Sequence, residues 1–246
     1  MRGIILAAGR GARLNGGRGD MPKCLVTLGG ETMLSRNVRL MRSAGIDDVV
    51  VVIGCAADTV RRTCPDATFV ENDRFAQTNS LYSLWLSREL LTEGFVVMNC
   101  DVLVHPQLLV DLVTARHEDA LLLAYRDDET RYGDEEMKVR VRRGRVIDIS
   151  KTMDPEDADG ENLGVAKFGA DGARLLIEKM DAIVAAGEHK AWVPRGFKAF
   201  AEERPLHVIG TRGLPWIEID FPEDYRRAVE AVLPQIDAPH AVAKSA

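Results

Sequence analysis

The first half of the chain alternates two hydrophobic periods, and this alternation is the strongest constraint on its fold. Residues 3–8 and 49–53 are continuous apolar runs, which are typical of strands buried on both faces of a parallel sheet. Between them, residues 33–44 repeat apolar side chains at helical spacing and are followed by Gly45, which favours a helix end. This pattern predicts right-handed βαβ units in a doubly wound α/β sheet.

The second half of the chain has a different character. Residues 137–141 and 145–149 alternate apolar and polar side chains around Arg142-Arg143-Gly144, which indicates a hairpin and hence a mixed sheet. No internal repeat or linker is visible, so we expect a single domain over residues 1–234 and a flexible tail over 235–246. The further predicted strands are 67–70, 95–99, 121–125, 162–168 and 216–219, and the further predicted helices are 80–91, 106–116, 173–186 and 222–232.

The composition excludes several classes of protein. With 46% hydrophobic and 28% charged residues, the 246-residue chain is neither intrinsically disordered nor collagen-like. Its formal charge of −6 argues against binding to nucleic acid, and its longest apolar runs, of about six to eight residues, are too short to span a membrane. The four cysteines form no CxxC pair and the five histidines no metal-binding cluster, so we expect reduced thiols, no zinc site and a cytoplasmic protein.

The first predicted strand leads into a loop that is rich in glycine and arginine. The order is Leu6-Ala7-Ala8-Gly9-Arg10-Gly11-Ala12-Arg13, and Pro22-Lys23 follows after a Gly-rich gap. Ligands of open α/β sheets bind beyond the carboxyl ends of the strands, where glycines let backbone N–H groups approach a phosphate and basic residues supply charge. The dinucleotide-binding and P-loop motifs do not fit, because Leu14 replaces the third glycine and no Gly-Lys-Ser/Thr is present. The loop predicts another kind of phosphate site, with a plain Gly-rich surface turn as the alternative.

This order resembles the N-terminal signature of the nucleotidyltransferase superfamily of sugar-nucleotide pyrophosphorylases, L-A-A-G-x-G-x-R followed by P-K. The resemblance implies a Rossmann-like three-layer α/β/α fold with a mixed, mostly parallel central sheet, in which residues 1–125 bind a nucleoside triphosphate and 126–234 the acceptor. It implies that Arg13 holds the triphosphate and that Lys23 contacts the transferred phosphoryl group, so both are predicted to be catalytic. The implied nucleotide-binding residues are Leu6, Ala7, Ala8, Gly9, Gly11, Arg13, Lys23, Asn79, Ser80 and Asp101.

Residues 71–84 indicate one branch of this superfamily. They read E-N-D-R-F-A-Q-T-N-S-L-Y-S-L and resemble the E-N-x-x-(F/Y)-x-x-T-N-x-x-x-S-L segment of the small cytidylyltransferases. That branch includes enzymes for phosphocholine, 2-aminoethylphosphonate and inositol phosphate, so the resemblance implies CTP as the nucleotide. Asn79 and Ser80 lie where a predicted helix begins, which suits hydrogen bonds to a base edge or, as the alternative, simple capping of the helix.

Acidic residues follow two of the predicted strands. The resemblance places Asp101 and Asp220 at the metal-binding positions of the superfamily, with Glu218 as a further candidate ligand. Two carboxylates together with phosphate oxygens suit Mg²⁺, which is therefore the predicted cofactor. The alternatives are a turn or helix cap for either aspartate and an ion pair for Glu218. A glycosyltransferase is disfavoured, because its D-x-D motif would need an acid where Asn99 stands.

Two blocks of opposite charge mark the predicted acceptor half. Residues 127–136 hold six acids and one base, and residues 138–151 hold six bases and one acid. Most of these charges fit a solvated hairpin. Lys138 and Lys151, however, match positions where related cytidylyltransferases often carry a lysine, and we predict that both bind the acceptor. Residues 154–160 are expected to form the lip of the acceptor pocket.

Trp192 and Arg195 complete the predicted acceptor site. Choline-specific members of the branch build an aromatic box for the quaternary ammonium group through cation–π attraction. Trp192 is a candidate for such a role, with a core position as the alternative, but the match to the box is incomplete. Arg195 would repel a cation and would favour an acceptor with an extra anionic group.

These features predict a CTP-dependent cytidylyltransferase that transfers CMP to a small phosphate or phosphonate acceptor and releases pyrophosphate. A sugar-1-phosphate nucleotidyltransferase that uses UTP or another triphosphate is one alternative. A non-catalytic, nucleotide-sensing homologue is another. A homodimer is compatible with the sequence.

Overall fold

The two hydrophobic periods form strands and helices in a computed structural model, which describes residues 1–14, 21–127 and 129–238. The strands are β1 (Arg2–Ala7), β2 (Thr27–Leu28), β3 (Glu31–Thr32), β4 (Val49–Ile53), β5 (Thr68–Glu71), β6 (Phe95–Asn99), β7 (Val102–Val104), β8 (Ala120–Tyr125), β9 (Lys138–Arg142), β10 (Arg145–Ser150), β11 (Gly160–Phe168), β12 (His207–Gly210) and β13 (Trp216–Glu218). The helices are α1 (Met33–Ser43), α2 (Ala57–Thr63), α3 (Ser80–Leu86), α4 (Pro106–Thr114), α5 (Ala170–Ala185), α6 (Val193–Ala201), α7 (Pro222–Arg227) and α8 (Leu233–Asp237). In those ranges, no helix has the length and apolar character that crossing a membrane requires.

Nine of these strands form one sheet in the order β5-β4-β1-β6-β11-β8-β12-β10-β9. The strands β5, β4, β1 and β6 run parallel, as their apolar sequences predict, whereas β11 lies antiparallel between β6 and β8. The hairpin of β9 and β10 lies at one end, and β9 also pairs with β11, so this end of the sheet closes on itself. The predicted Rossmann-like α/β fold with a mixed sheet and a parallel core is confirmed, and both predicted halves contribute to the same sheet.

The side chains of β1 divide the core into two layers. Ile5 and Ala7 face the side on which α1 and α4 pack, and Ile4 and Leu6 face the side of α3, α5 and α6. All four are at most 8% exposed. Full burial of a Leu or Ile side chain contributes about 1.5–3 kcal/mol. Packing on both faces therefore explains why the parallel strands read as continuous apolar runs.

A short antiparallel pair, β7 with β13, brings acidic residues of the C-terminal region to the end of β6. Glu218 is the register partner of Val102. The backbone N–H of Ile219 donates to the carbonyl oxygen of Asp101 at 2.9 Å. Besides the two core layers, a third apolar cluster packs against this pair. It contains side chains of α8 and of the turn over residues 228–232. The pairing thus holds β13 and the residues after it beside Asp101.

Several element boundaries differ from the predictions. The helix predicted over residues 80–91 ends as α3 at Leu86, and a 3₁₀ turn over Arg88–Leu90 follows. The helix predicted over 222–232 is instead α7, a π-helical turn over Ala228–Val232, and α8. The elements that were not predicted are β2, β3, β7, β12, α2 and α6. Most of these are too short to show a period, and α6 contains Pro194 and Gly196, which are typical of loops.

Residues 235–237, which were predicted to belong to a flexible tail, are helical. Helix α8 extends to Asp237, and Ile236 is 6% exposed within the third apolar cluster. The Asp237 carboxylate accepts from the buried Arg36 guanidinium, with 2.9 Å between Oδ1 and Nη1. Residues 235–237 therefore belong to the folded chain, and residues 239–246 lie outside the described residues.

Gly172→Ala is expected to destabilise the protein. A Cβ atom at this position of α5 would overlap Oδ1 of Asp119. Asp119 is 3% exposed and is held in place because it accepts from the backbone N–H of Gly169 and from Arg204. We expect the free energy of unfolding, measured in urea, to fall by about 1–3 kcal/mol, which is typical of overpacking.

Gly196→Ala is the matched control, because it also replaces a helical glycine. The nearest atom to a Cβ at Gly196 is Leu176 Cδ1 at 3.4 Å, an ordinary contact. The helix propensity of alanine predicts unchanged stability or a gain of up to about 1 kcal/mol. Equal losses in the two variants would contradict the assigned overlap with Asp119.

Candidate active site

A cavity of about 290 Å³ lies at the carboxyl ends of β1 and β6, where the sequence predicts a ligand site. The predicted site residues that line it are Leu6, Ala8, Gly9, Gly11, Arg13, Lys23, Asn79, Ser80, Asp101, Lys151, Trp192, Glu218 and Asp220. Ala7 instead packs into the core on the opposite face of the sheet, because successive side chains of a strand alternate between faces. Residues 15–20 of the predicted loop lie outside the described residues.

Gly11 allows the loop to pack closely against Lys23. Its φ of 65° lies in the left-handed region that favours glycine. A Cβ at this position would lie 2.7 Å from Cγ and 2.9 Å from the backbone nitrogen of Lys23. The loop and Lys23 can therefore come this close only with glycine at position 11, which gives the signature a steric reason.

Lys23 and Arg13 pair with acidic residues that are distant in sequence. The Nζ atom of Lys23 donates to Asp101 Oδ2 at 3.1 Å and to Asp220 Oδ1. Arg13 donates to Asp220 Oδ2 at 3.1 Å and to Glu135 Oε2 at 2.8 Å. The side chain of Lys23 is 11% exposed and that of Arg13 is 46% exposed. The network is thus shielded from water at Lys23 and open at Arg13, where a ligand can enter.

The carboxylate of Asp220 is not used by the backbone N–H groups around it and can therefore bind these cations. Helix α7 begins after Phe221, and the Asp224 carboxylate accepts from the N–H groups of Asp220 and Phe221 at 3.0 and 2.8 Å. The N-cap of α7 is Phe221, so Asp220 does not have the N-cap role that the sequence left as its alternative. Asp101 does not cap the helix after it either, because the N-cap of α4 is His105.

Asp101, Glu218 and Asp220 form an acidic cluster, in which one carboxylate oxygen of each residue lies within 4.8 Å of the others. Oδ1 of Asp101 is buried without a hydrogen-bond partner among the described residues. Burial and, after it, the neighbouring Asp101 raise the pKa of Glu218 to about 7, so this carboxyl group keeps its proton more readily than an ordinary glutamate. Oxygen donors with one unpartnered carboxylate atom fit a hard divalent cation, and Asp101 and Asp220 are the residues that would hold it.

Asn79 and Ser80 both cap helices and line the cavity. The side chain of Asn79 is the N-cap of α3 and accepts from the backbone N–H of Ser80 at 2.8 Å. The hydroxyl of Ser80 accepts from the backbone N–H of Val193 at 3.1 Å, at the start of α6. The capping alternative is therefore correct for Asn79, and it is compatible with a position at the ligand.

The structure brings two of the four predicted acceptor residues into the cavity. Lys151 and Trp192 line it, with Lys151 Nζ 5.1 Å from the centre of the Trp192 ring. Lys138 is 1% exposed, and its Nζ donates to the carbonyl oxygen of Gly133 at 2.6 Å. Arg195 pairs with Glu188 at 3.2 Å, outside the lining residues. Neither Lys138 nor Arg195 is thus placed for direct contact with a ligand in this cavity.

The sequence did not single out Glu135 and Asn162. Glu135 accepts from Arg13 and from Lys151, the latter at 3.2 Å, and these bonds lower its pKa. Glu135 lies in the acidic block over residues 127–136, which was interpreted as solvated. Nothing in the sequence distinguishes it from the neighbouring acidic residues. Asn162 is 5% exposed and lines the cavity, and its Oδ1 has no partner within the described chain. Residues 154–160, the predicted lip, are absent from the described lining.

Glu161 lies next to Asn162 on β11 and carries a strongly shifted carboxyl group. It is the register partner of Lys138 on β9. Burial raises the pKa of Glu161 to about 8, and the carboxylates of Glu218 and Glu136 contribute to the shift. This carboxyl group, next to the cavity residue Asn162, is therefore largely protonated at neutral pH.

Comparisons with known proteins identify the family to which the chain belongs. The model of the MobA-like NTP transferase domain family matches residues 3–218. The choline-phosphate cytidylyltransferase of Streptococcus pneumoniae is 26% identical over 242 residues, which are 94% of this chain and 97% of that protein. The bifunctional IPC transferase and DIPP synthase of Rubrobacter xylanophilus is 29% identical over 236 residues, which are 93% of this chain and 51% of that protein.

Solved structures give the same result for the fold. The CTP:phosphocholine cytidylyltransferase from Streptococcus pneumoniae matches with a TM-score of 0.78 and 25% identity, covering 93% of this chain and 97% of that one. The inositol-1-phosphate CTP transferase from T. maritima matches with a TM-score of 0.80 and 21% identity, covering 98% and 97%. The resemblance to nucleotidyltransferases that was inferred from the sequence is confirmed.

Glu161→Gln is expected to stabilise the protein, and more so at alkaline pH. In the folded chain, burial keeps Glu161 protonated up to a pKa of about 8, whereas the unfolded side chain ionises near its ordinary value of 4.5. Folding therefore takes up a proton between these values, and the wild-type stability falls as the pH rises towards 8. Glutamine removes this cost, so the gain in Tm should grow from pH 6 to pH 8 and then level off.

Glu93→Gln is the control, since it removes a charge from an exposed loop position. Its effect on Tm should be small and similar at pH 6 and pH 8. A Tm gain for Glu161→Gln that does not change with pH would contradict the assigned shift.

Proposed function

Because this chain belongs to the MobA-like NTP transferase domain family and is a nucleotidyltransferase, we propose that it transfers CMP from CTP to a small phosphate or phosphonate acceptor. Pyrophosphate is the second product. The observation that carries the proposal is the position of Lys23, which lies between Asp101 and Asp220 inside the cavity. The names of the relatives support CTP as the nucleotide, since one is a choline-phosphate cytidylyltransferase and another an inositol-1-phosphate CTP transferase.

The proposed reaction is an in-line displacement at the α-phosphorus of CTP. An anionic oxygen of the acceptor forms the new bond to phosphorus, and the bond to the bridging oxygen of the β-phosphate breaks. The acceptor oxygen is ionised at neutral pH, so no general base is needed. Positioning of two anions and stabilisation of negative charge are then the tasks that remain for the protein.

Lys23 and Arg13 perform these tasks in the proposed mechanism. The ammonium group of Lys23 is buried beside the end of β6 and stabilises the charge on the α-phosphoryl group. Arg13 lies at the open side of the network and binds the departing pyrophosphate through its planar fork. The substrate phosphates would replace Asp220 and Glu135 as partners of these cations. A Mg²⁺ ion held by Asp101 and Asp220 would supply further neutralisation of the phosphate charge.

The substrates can be tested by measuring pyrophosphate release with the four nucleoside triphosphates. Each is combined with phosphocholine, 2-aminoethylphosphonate, 2-hydroxyethylphosphonate, inositol 1-phosphate and glucose 1-phosphate. We expect release with CTP and one of the first four acceptors. In Lys23→Ala, kcat should fall by about 10²–10³-fold, as is typical when one oxyanion-stabilising donor is lost. Lys190→Ala removes an exposed lysine outside the cavity lining and should leave kcat unchanged.

Faster release with UTP and glucose 1-phosphate would favour a sugar-1-phosphate nucleotidyltransferase. No release with any pair would favour a nucleotide-sensing homologue. A Lys23→Ala variant with near-native kcat would contradict the role assigned to Lys23.

Binding of Mg²⁺ should be visible without nucleotide, as a rise in Tm. At ten times the dissociation constant, a ligand that binds the folded state adds about 1.4 kcal/mol, which is about 3–6 °C for a chain of this size. Asp220→Asn should remove most of the rise, because it replaces a carboxylate of the acidic cluster. Asp58→Asn, an exposed position on α2, should keep it. An equal rise in both variants would argue against the cluster as the metal site.

A further inference from the structure

One asparagine of the segment over residues 71–84 is buried behind the cavity. Asn72 follows β5 and is 1% exposed, and it is absent from the described lining of the cavity. The segment also contains the polar residues Thr78, Asn79 and Ser83, which do line the cavity. The roles assigned to the basic residues and to the acidic cluster leave the presence of an asparagine at this buried position unexplained.

Both polar atoms of the Asn72 amide are engaged, and their hydrogen-bond directions are fixed. Oδ1 accepts from the backbone N–H of Arg74 at 3.0 Å, and an N–H group can only donate. Nδ2 donates to Thr78 Oγ1 and to Ser83 Oγ, each at 3.0 Å. A single buried amide thus joins the end of β5 to the turn before α3 and to α3 itself.

The two hydroxyl groups extend this network into one wall of the cavity. This α3 wall consists of five lining residues near the start of α3: Phe75, Thr78, Asn79, Ser80 and Ser83. Thr78 donates to the carbonyl oxygen of Arg74 at 2.9 Å, and Ser83 donates to that of Asn79 at 3.5 Å. Because each hydroxyl group has one proton, the donors of Asn72 determine the direction in which these protons point.

The first backbone N–H groups of α3 are already used within the protein. The N–H of Asn79 donates to the carbonyl oxygen of His189 at 2.9 Å, and that of Leu81 donates to Ala191 at 3.2 Å. The N–H of Ser80 donates to the Asn79 side chain. A ligand at this wall therefore contacts side chains rather than these N–H groups, and the positions of the side chains depend on what supports the wall from behind.

The α3 wall lies beside the loop that follows β1. The centre of the Phe75 ring is 5.4 Å from the Arg10 guanidinium carbon. A Cβ atom at Gly54, after β4, would lie 2.8 Å from Phe75 Cβ and 2.9 Å from the carbonyl oxygen of Ala8. The wall and the loop thus pack closely around one glycine. The wall therefore belongs to the half of the cavity that is assigned to the triphosphate.

We propose that Asn72 is a positioning residue for the nucleotide, which holds the side chains of the α3 wall in the arrangement that binds CTP without touching the ligand itself. This inference rests on the proposed function, because it concerns the nucleotide of that same site. The hydrogen-bond partners of Asn72 are neutral groups outside the acidic cluster. Asn72 therefore acts on the binding of CTP rather than on the charge of the reacting phosphates.

Asn72→Ala tests this role, because it removes both donors and leaves Thr78 and Ser83 in place. With the acceptor that gives the fastest pyrophosphate release, KM for CTP should rise about tenfold. The kcat value should stay within about threefold and KM for the acceptor within about twofold, because binding energy that is equal in the ground and transition states is lost. The Kd of CTP, measured by calorimetry without acceptor, should rise by the same factor as KM.

Gly172→Ala is the control for a loss of stability alone. It is also expected to destabilise the protein, and Gly172 lies on α5 outside the described lining of the cavity. A smaller fraction of folded protein lowers the apparent kcat but leaves KM and Kd unchanged. If Asn72→Ala showed this pattern instead of a rise in KM for CTP, Asn72 would only support the fold.

Ser83→Ala is a milder variant, which keeps the inference testable if Asn72→Ala does not fold. It removes one of the two hydroxyl partners, so the Kd of CTP should rise about threefold. In the double variant the rise should not exceed that of Asn72→Ala alone, since the two residues act as one unit. An unchanged Kd in Ser83→Ala, or a double variant in which the two effects multiply, would overturn the proposed network.

The outcomes separate this inference from the proposed function. Pyrophosphate release by the wild type together with an unchanged KM and Kd for CTP in Asn72→Ala would overturn the inference and leave the cytidylyltransferase function intact. CTP binding that is weakened in Asn72→Ala, without pyrophosphate release from any acceptor in the wild type, would support the role of Asn72 and overturn the proposed reaction.

Discussion

The site depends on one buried cation, the ammonium group of Lys23, which is held by two carboxylates from distant parts of the chain. Asp101 is 78 residues and Asp220 197 residues away from Lys23 in sequence. Two acids placed this close would repel each other without a cation between them. The close approach of Gly11, the pairing of β7 with β13 and the capping by Asp224 all serve to position these three groups. The N-terminal loop and the C-terminal region are thereby joined at a single point.

The parts of the structure that could be predicted are those that short-range physics determines. Strands buried on both faces must be apolar throughout, so β4 and β6 were predicted with their observed bounds. The loop after β1 was predicted from glycine and basic residues in a fixed order, and the structure gives its steric reason in Gly11. Asp101 and Asp220 were placed at strand ends correctly, although only the fold brings them within reach of one lysine.

The features that could not be predicted depend on which strand lies beside which. Lys138 and Lys151 look alike in sequence, each at the end of a strand. Lys138 pairs with Ser150 on one side and Glu161 on the other, because β9 lies between β10 and β11 at this point, and it is therefore buried. Lys151 is one residue beyond the end of β10 and faces the cavity. The pairing of β9 with β11, which closes the sheet, therefore determines which of the two lysines is buried. This pairing cannot be recognised in the local sequence.

Glu135 illustrates what a shared counterion implies for two ligands. One carboxylate contacts both Arg13, on the side assigned to the triphosphate, and Lys151, on the side assigned to the acceptor. An anion that takes over one of these cations releases the carboxylate to the other. The free energies of the two binding events are then not independent, and by thermodynamic linkage each ligand changes the affinity for the other by the same factor. A single exposed glutamate thus couples ligand binding in one half of the cavity to ligand binding in the other, without any movement of the fold.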